Sequence, residues 1–532
     1  MSKERLYLFD TTLRDGAQTS GVDFTLEDKV AVASMLDKLG LDYVEGGYPG
    51  ANPTDTSFFD RKRTSRAKFT AFGMTKRAGV SLSNDPGIRG LLEASADAIC
   101  FVGKTWDYQV RVALQTTEEE NLDGIRQSVT VAHEAGREVL LDCEHFFDGY
   151  KANPKYALAC ALAAYEAGAR WVVLCDTNGG TMPEEVEAIV REVAGTIPGD
   201  HLGIHAHDDT EQAVANSLAA VRAGARQIQG TLNGIGERCG NANLTSLIPT
   251  LLLKSGYADR FQTGITAEGL SGLTALSHRF DELVNRASNR QAAYVGASAF
   301  TTKAGIHASA LARDPKTYEH VSPDLVGNRR HVLVSDQGGK ANLLAELSRM
   351  GLAVEKSDQR LDTLLREVKE RESVGYAYEG AAASFELLAR RLLGGVPNYF
   401  DVESFHVTVE RRHNAVGELI SVSEAVVKLT VGGQRLLTVG EGNGPVNALD
   451  QALRKDLGVY RDAIADLELI DYKVRILNGG TGAVTRVLIE STDASGDSWF
   501  TVGVSENIVD ASFEALNDAI VYKLLRAGAK AA

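Results

Sequence analysis

The chain has 532 residues, 44% hydrophobic and 24% charged, with a formal net charge of −15. That length exceeds what one hydrophobic core supports and predicts roughly two to four domains. The composition is that of a globular chain and argues against wholesale disorder. The acidic balance excludes nucleic acid and anionic membrane surfaces as expected partners. An anionic substrate would need local positive charge, from a metal ion or from placed Arg and Lys.

The N-terminal stretch MSKERLYLFDTTLRDG enters a strand-like run at once, with no secretory signal. No apolar run reaches the roughly 18 residues of a membrane span. The five cysteines, Cys100, Cys143, Cys160, Cys175 and Cys239, are odd in number and scattered. They read as reduced, largely buried thiols of a cytoplasmic protein.

Through residue 255, short apolar runs alternate with helical patterns. Strands are expected at 6–12, 43–48, 68–74, 98–102, 138–144, 171–177, 202–208 and 227–233. Between them, apolar residues at i, i+3, i+4 spacing predict helices such as 26–39, 121–134, 157–167 and 211–223. Gly40, Gly136, Gly168 and Gly224 stand where helix C-caps are due. Eight strands alternating with helices predict an α/β fold, a (β/α)8 TIM barrel. A doubly wound open sheet competes, but no Gly-rich phosphate turn follows the first strand.

From about 256 to 395 the pattern is mainly helical, with amphipathic surface helices at 343–350 and 361–371. From about Phe405 period-two strands return, with an internal repeat. Thr438-Val439-Gly440 is echoed by Thr501-Val502-Gly503, an offset of 63 residues. At that offset Val446 matches Val509, Ala448 matches Ala511, and Ala452-Leu453 matches Ala515-Leu516. Each copy reads as strands followed by a helix, an α+β unit whose apolar stripe needs its twin for cover. The expected division is a catalytic barrel at 1–275, linker subdomains at 276–398 and a regulatory, dimerising domain at 399–532.

Functional side chains of such barrels gather at the C-terminal ends of the strands. There the sequence places Asp10-Thr11-Thr12-Leu13-Arg14-Asp15-Gly16, Asp142-Cys143-Glu144, Asp176-Thr177-Asn178, His205-Ala206-His207-Asp208 and a loop from Asn233 to Asn241. The His-x-His pair is the sharpest of these signals. On a strand, residues i and i+2 share a face, so both imidazoles project toward the barrel axis. Two imidazoles with one carboxylate suit a divalent cation with open positions for substrate. The bland reading, one His capping a strand and one at the surface, weakens when acid and amide loops stand beside the pair.

The motifs DTTLRDG, HAHDD and NGIGERCGNANL, spread across the whole barrel, resemble those of the isopropylmalate, homocitrate and citramalate synthase family. Gly305-Ile306-His307, with Tyr318 eleven residues on, resembles that family's linker motif, and the C-terminal repeat resembles its amino-acid-binding domain. EGGYPGANPTDTSFF, FVGKTWDYQV, DCEHFFDGYKANP and AVANSLAAVRAGA are most similar to the citramalate branch.

The resemblance implies a Claisen condensation of acetyl-CoA with a 2-oxo acid, pyruvate in this branch, followed by thioester hydrolysis, within isoleucine biosynthesis. It implies a divalent cation (Mn2+, Mg2+ or Zn2+) on Asp15, His205 and His207, with Asn241 as a further ligand or near-ligand. It makes Arg14 the residue that neutralises the developing alkoxide, and Thr177 a contact for the 2-oxo acid carboxylate. His307 and Tyr318 become the pair placed for general base work. Glu144 becomes either a group for proton transfer or water placement, or a strand-end carboxylate that orients Arg14. An isoleucine effector and a homodimer are also implied, with Gly479-Gly480-Thr481-Gly482 a candidate effector turn. Ala17 and Asp208-Asp209 depart from the family pattern, which often has Glu and Asn-Asp there. Cys239 reads as buried packing, and Arg61-Lys62-Arg63 as a solvated loop.

Overall fold

The computed structural model describes residues 3–61, 65–332, 339–413, 415–478 and 483–532. Lys62, Arg63 and the turn Gly479-Gly480-Thr481-Gly482 lie outside the described residues. The chain divides into two compact units, Met1–Phe300 with His320–Arg330, and Thr301–Glu319 with His331–Ala532.

In the first unit, among the described residues, eight parallel strands close a barrel in sequence order. They are β1 (Tyr7–Asp10), β2 (Tyr43–Gly47), β3 (Lys68–Met74), β4 (Ala98–Lys104), β5 (Glu138–Glu144), β6 (Trp171–Asp176), β7 (Leu202–Ala206) and β8 (Gln227–Gly230). The ring closes where Tyr7 pairs with Gln227, which excludes the open sheet. The barrel is filled at its base by Phe9, Tyr43, Cys100, Leu140, Trp171 and Val173. There the Trp171 indole donates to the Tyr43 hydroxyl at 3.0 Å, which donates to Glu138 at 2.6 Å. Both polar atoms of this floor are therefore satisfied where water cannot reach.

The outer helices follow from the amphipathic pattern. Helix Leu26–Leu39 opens on a capping box of Thr25 and Asp28, buries Val32, Leu36 and Leu39, and ends at Gly40 with φ 99°. The helix expected from residue 211 starts later, at Ala213. Glu211 sits at φ 57°, and the Asp208 carboxylate accepts from the Ala213 N–H at 2.9 Å. Asp208 thus satisfies the first N–H of that helix, which gives this departure from the family pattern a structural role.

The second unit opens with helix Gly305–Leu311, then Lys340–Arg349, Arg360–Ser373 and Ala382–Leu393, packed around Leu343, Leu347, Leu361, Leu364 and Phe385. Two antiparallel units of three strands and a helix follow. The first is β9 (Asp401–His413), β10 (Leu419–Val431), β11 (Gln434–Gly442) and helix Pro445–Lys455. The second is β12 (Glu468–Ile476), β13 (Thr485–Thr492), β14 (Ser498–Ser505) and helix Ile508–Arg526. Val427 and Leu449 of one copy share a core with Ile489 and Leu516 of the other.

The repeated residues mark where the last strand of each copy meets its helix. A Cβ on Gly440 would lie 2.4 Å from the Ala452 nitrogen, and one on Gly503 2.0 Å from the Ala511 carbonyl. Glycine on the strand and alanine on the helix let the two backbones touch, so the same residues recur in both copies. Among the described residues no helix is long and apolar enough to cross a membrane.

Candidate metal centre and active site

Asp15, His205 and His207 converge at the C-terminal rim of the barrel, with one ligand atom of each within 4.8 Å of the others. Asp15 Oδ2 lies 3.3 Å from His205 Nε2 and 3.9 Å from His207 Nε2, and the two Nε2 atoms are 3.3 Å apart. His205 lies one residue before the end of β7, and His207 follows it by the two residues that return a side chain to the same face. Asp15 reaches the site because the turn after β1 folds back, with the Gly16 N–H bonding the Thr11 carbonyl at 3.1 Å.

Asn241 is brought alongside by a bridge to His207. Its Nδ2 donates to the Ile235 carbonyl at 3.3 Å, and its Oδ1 is buried without a partner among the described residues. Gly236, at φ 158°, makes room for that amide: a Cβ there would sit 2.1 Å from Asn241 Nδ2. Asp15 Oδ1 and His207 Nδ1 are also buried and unpartnered. Two imidazoles and a carboxylate converging beside an unsatisfied amide oxygen fit a divalent cation.

Burial and neighbouring charge shift the three groups in different directions. Burial raises the Asp15 carboxyl, but the Arg14 guanidinium and the two imidazoles outweigh it and hold Asp15 well below the usual carboxylate range. Burial lowers His205, yet the hydrogen bond and charge of Asp15 leave it above its ordinary value. Burial and the neighbouring His205 push His207 down to about 4, which leaves that imidazole neutral.

Arg14 donates through Nε to Glu45 at 2.6 Å and through Nη1 to Asp15 at 3.3 Å, and its guanidinium lies 3.9 Å over the Phe72 ring. Glu144 does not orient Arg14, against one of the two expectations for it. That carboxylate pairs with Lys104 at 2.5 Å, because Lys104 and Glu144 are register partners at the ends of β4 and β5. Glu45 on β2 holds Arg14 instead. Thr177 Oγ1 accepts the His145 N–H at 2.8 Å, which leaves its hydroxyl proton without an acceptor among the described residues.

Arg14, Asp15, Lys104, Glu144, Thr177, His205 and His207 line one cavity of about 240 Å3, walled on its apolar side by Phe72, Met74 and Val102. At the rim Arg238 forks onto both oxygens of Asp209, at 2.7 and 2.8 Å, and donates to the Thr177 carbonyl at 2.7 Å. Cys239 is exposed, not packed as expected; the other four thiols are buried. The loop from Asn233 to Asn241 turns its backbone glycines inward, and the thiol faces out.

His307 and Tyr318 belong to the second unit. His307 lies on helix Gly305–Leu311, and the two rings stack with centroids 4.1 Å apart and planes 30° from parallel. Sequence reasoning missed Glu45, Lys104 and Gln229, and placed Asp142 at the rim without a role. An acid or amide inside an apolar strand, as in YVEGG, LLDCE and QIQG, is the signal that could have found three of them.

The HMGL-like family profile matches residues 5–273, the homocitrate synthase post-HMGL domain-like profile 294–375, and the LeuA allosteric (dimerisation) domain profile 379–524. The (R)-citramalate synthase of Aquifex aeolicus is 48% identical over 528 residues, 98% of this chain and 98% of that one. That of Geobacter sulfurreducens is 49% identical over 97% of both chains. That of Streptomyces coelicolor is 47% identical over 99% of this chain and 98% of its own. A probable 2-isopropylmalate synthase of Methanopyrus kandleri follows at 32%, over 96% of this chain and 97% of its own. The chain therefore belongs to the HMGL-like family and, over nearly its whole length, to the citramalate synthases within it.

Proposed function

We propose that this chain is an acyltransferase that condenses acetyl-CoA with pyruvate and hydrolyses the thioester, giving citramalate and CoA for isoleucine biosynthesis. The observation that carries the reading is the Asp15, His205 and His207 cluster with the unsatisfied Asn241 oxygen, opening into a cavity that also holds Arg14. Names shared by relatives at 46–49% identity support the reaction.

Asp15, His205, His207 and Asn241 would hold a divalent cation, which supplies Lewis acidity to the 2-oxo acid carbonyl when bound. Arg14, fixed by Glu45 and stacked on Phe72, places positive charge where the alkoxide develops. The free hydroxyl proton of Thr177 serves the substrate carboxylate. His307, its ring set by Tyr318, takes the proton from the acetyl methyl group. The new carbon–carbon bond joins that methyl carbon to C2 of pyruvate. Water then cleaves the thioester, releasing CoA and a second carboxylate. Glu144, tethered by Lys104, is placed to hold that water or to share in proton transfer.

In this reading residues 1–275 carry the metal chemistry, 276–398 bring the base, and 399–532 dimerise the chain and bind isoleucine. The match to a LeuA allosteric (dimerisation) domain supports the last assignment. The enzyme is cytoplasmic. Chelation should abolish CoA release, Mn2+ should restore it, and the product should be citramalate. Full turnover after exhaustive chelation would sink the reading.

A further inference from the structure

The proposed metal ligands account for Asp15, His205 and His207 but leave unexplained why an amide and two acids lie buried beneath them. Gln229 is fully buried on β8, beside the strand that carries His205. Its Oε1 lies 2.9 Å from His205 Nδ1, and its Nε2 donates to Asp142 Oδ1 at 3.0 Å. The Cys100 sulfur lies within 4.8 Å of an Asp142 oxygen. A carboxylate at Asp142 can only accept, and this fixes which end of the carboxamide faces which neighbour. The oxygen must then face His205.

We propose that Gln229 is a positioning residue for the metal centre: oriented by Asp142, it holds His205 as the Nδ1–H tautomer and turns the Nε2 lone pair toward Asp15 and His207. The inference rests on the reading of those residues as a metal site. A metal-ligating imidazole needs its other nitrogen hydrogen-bonded, because that bond sets both tautomer and ring plane. Gln229 supplies that bond from inside the barrel, where water is excluded.

Glu45, Cys100 and Asp142 stand close together beside the site, and two of them support its residues directly. Arg14 occupies one oxygen of Glu45 and Gln229 one oxygen of Asp142. A neutral amide at position 229 supports His205 without adding a third acid to the two already buried there. The chain from Asp142 through Gln229 to His205 crosses three strands, β5, β8 and β7, so a closed barrel is required to assemble it.

The test is Mn2+ titration calorimetry on the full, metal-stripped chain, with thermal melting of each variant as the control for folding. Q229M keeps the volume and loses the acceptor; it should bind Mn2+ roughly 10–100-fold more weakly than the unaltered chain. Native affinity in a folded Q229M overturns the inference alone. No Mn2+ binding by the unaltered chain overturns the metal reading and this inference with it. Should Q229M not fold, histidine-15N spectra of the unaltered chain decide: the Nδ1–H form of His205 supports the proposal, and the Nε2–H form refutes it.

Discussion

Replacing Arg14 by Lys isolates the geometric part of its role, because the charge stays and the fork goes. The guanidinium reaches Glu45 through Nε and Asp15 through Nη1 while its plane covers Phe72. An ammonium on a flexible stem has neither the planar fork nor the stacking surface. It keeps one carboxylate partner at a time and settles where that partner draws it, away from the developing oxyanion. Loss of one fixed donor at such an oxygen costs about 2.7–4 kcal/mol of transition-state stabilisation, a roughly 100- to 1,000-fold fall in kcat. Since the donor acts on charge that develops during reaction, KM for pyruvate should move less than about fivefold. Mn2+ affinity should change little, as Asp15, His205 and His207 are untouched. The assay is CoA release trapped with a thiol reagent, at saturating acetyl-CoA and Mn2+. A kcat for R14K within about threefold of the unaltered enzyme would refute the assignment.

Three further outcomes are expected. H307A should retain metal and pyruvate binding and lose most turnover, and near-normal kcat in that variant removes His307 from the mechanism. Burial holds Asp10 at about 7, above its ordinary 3.8, despite hydrogen bonds from Thr12. Its contribution to stability is therefore full below about 3.8 and lost as pH rises through about 7. D10N lacks that titration and should gain on the unaltered chain by on the order of 2–4 kcal/mol between pH 4 and 8, read from thermal midpoints; parallel pH profiles would contradict this. G503A forces a Cβ to within 2.0 Å of the Ala511 carbonyl. It should destabilise the second unit by about 1–3 kcal/mol and blunt any isoleucine inhibition while leaving Mn2+ affinity intact; an unchanged melting profile would count against the close approach.

The barrel was legible because each strand and helix carries its own periodicity, and Gly40 marks a helix end by local chemistry. His205 and His207 were legible for the same reason, since a spacing of two on a strand fixes a shared face. Asn241 came from its glycine-rich loop. The partners of Arg14 and His205 were not legible. Glu45, Asp142 and Gln229 meet them across strands distant in sequence, and no local pattern encodes which acid on a neighbouring strand an arginine will find. Lys104 was hidden in the same way, because its contact with Glu144 depends on the register of β4 against β5. The repeat was visible as a few matched residues. Only the packing shows why those were kept: Gly440 and Gly503 are contact points between backbones.

The central claim is that this metal site serves a small 2-oxo acid. Its most direct test is kcat/KM for pyruvate, 2-oxoisovalerate and 2-oxoglutarate, measured side by side with acetyl-CoA on Mn2+-loaded enzyme. The account predicts a clear preference for pyruvate, whose methyl group would meet the apolar wall of Phe72, Met74 and Val102. A preference for either larger acid would contradict it.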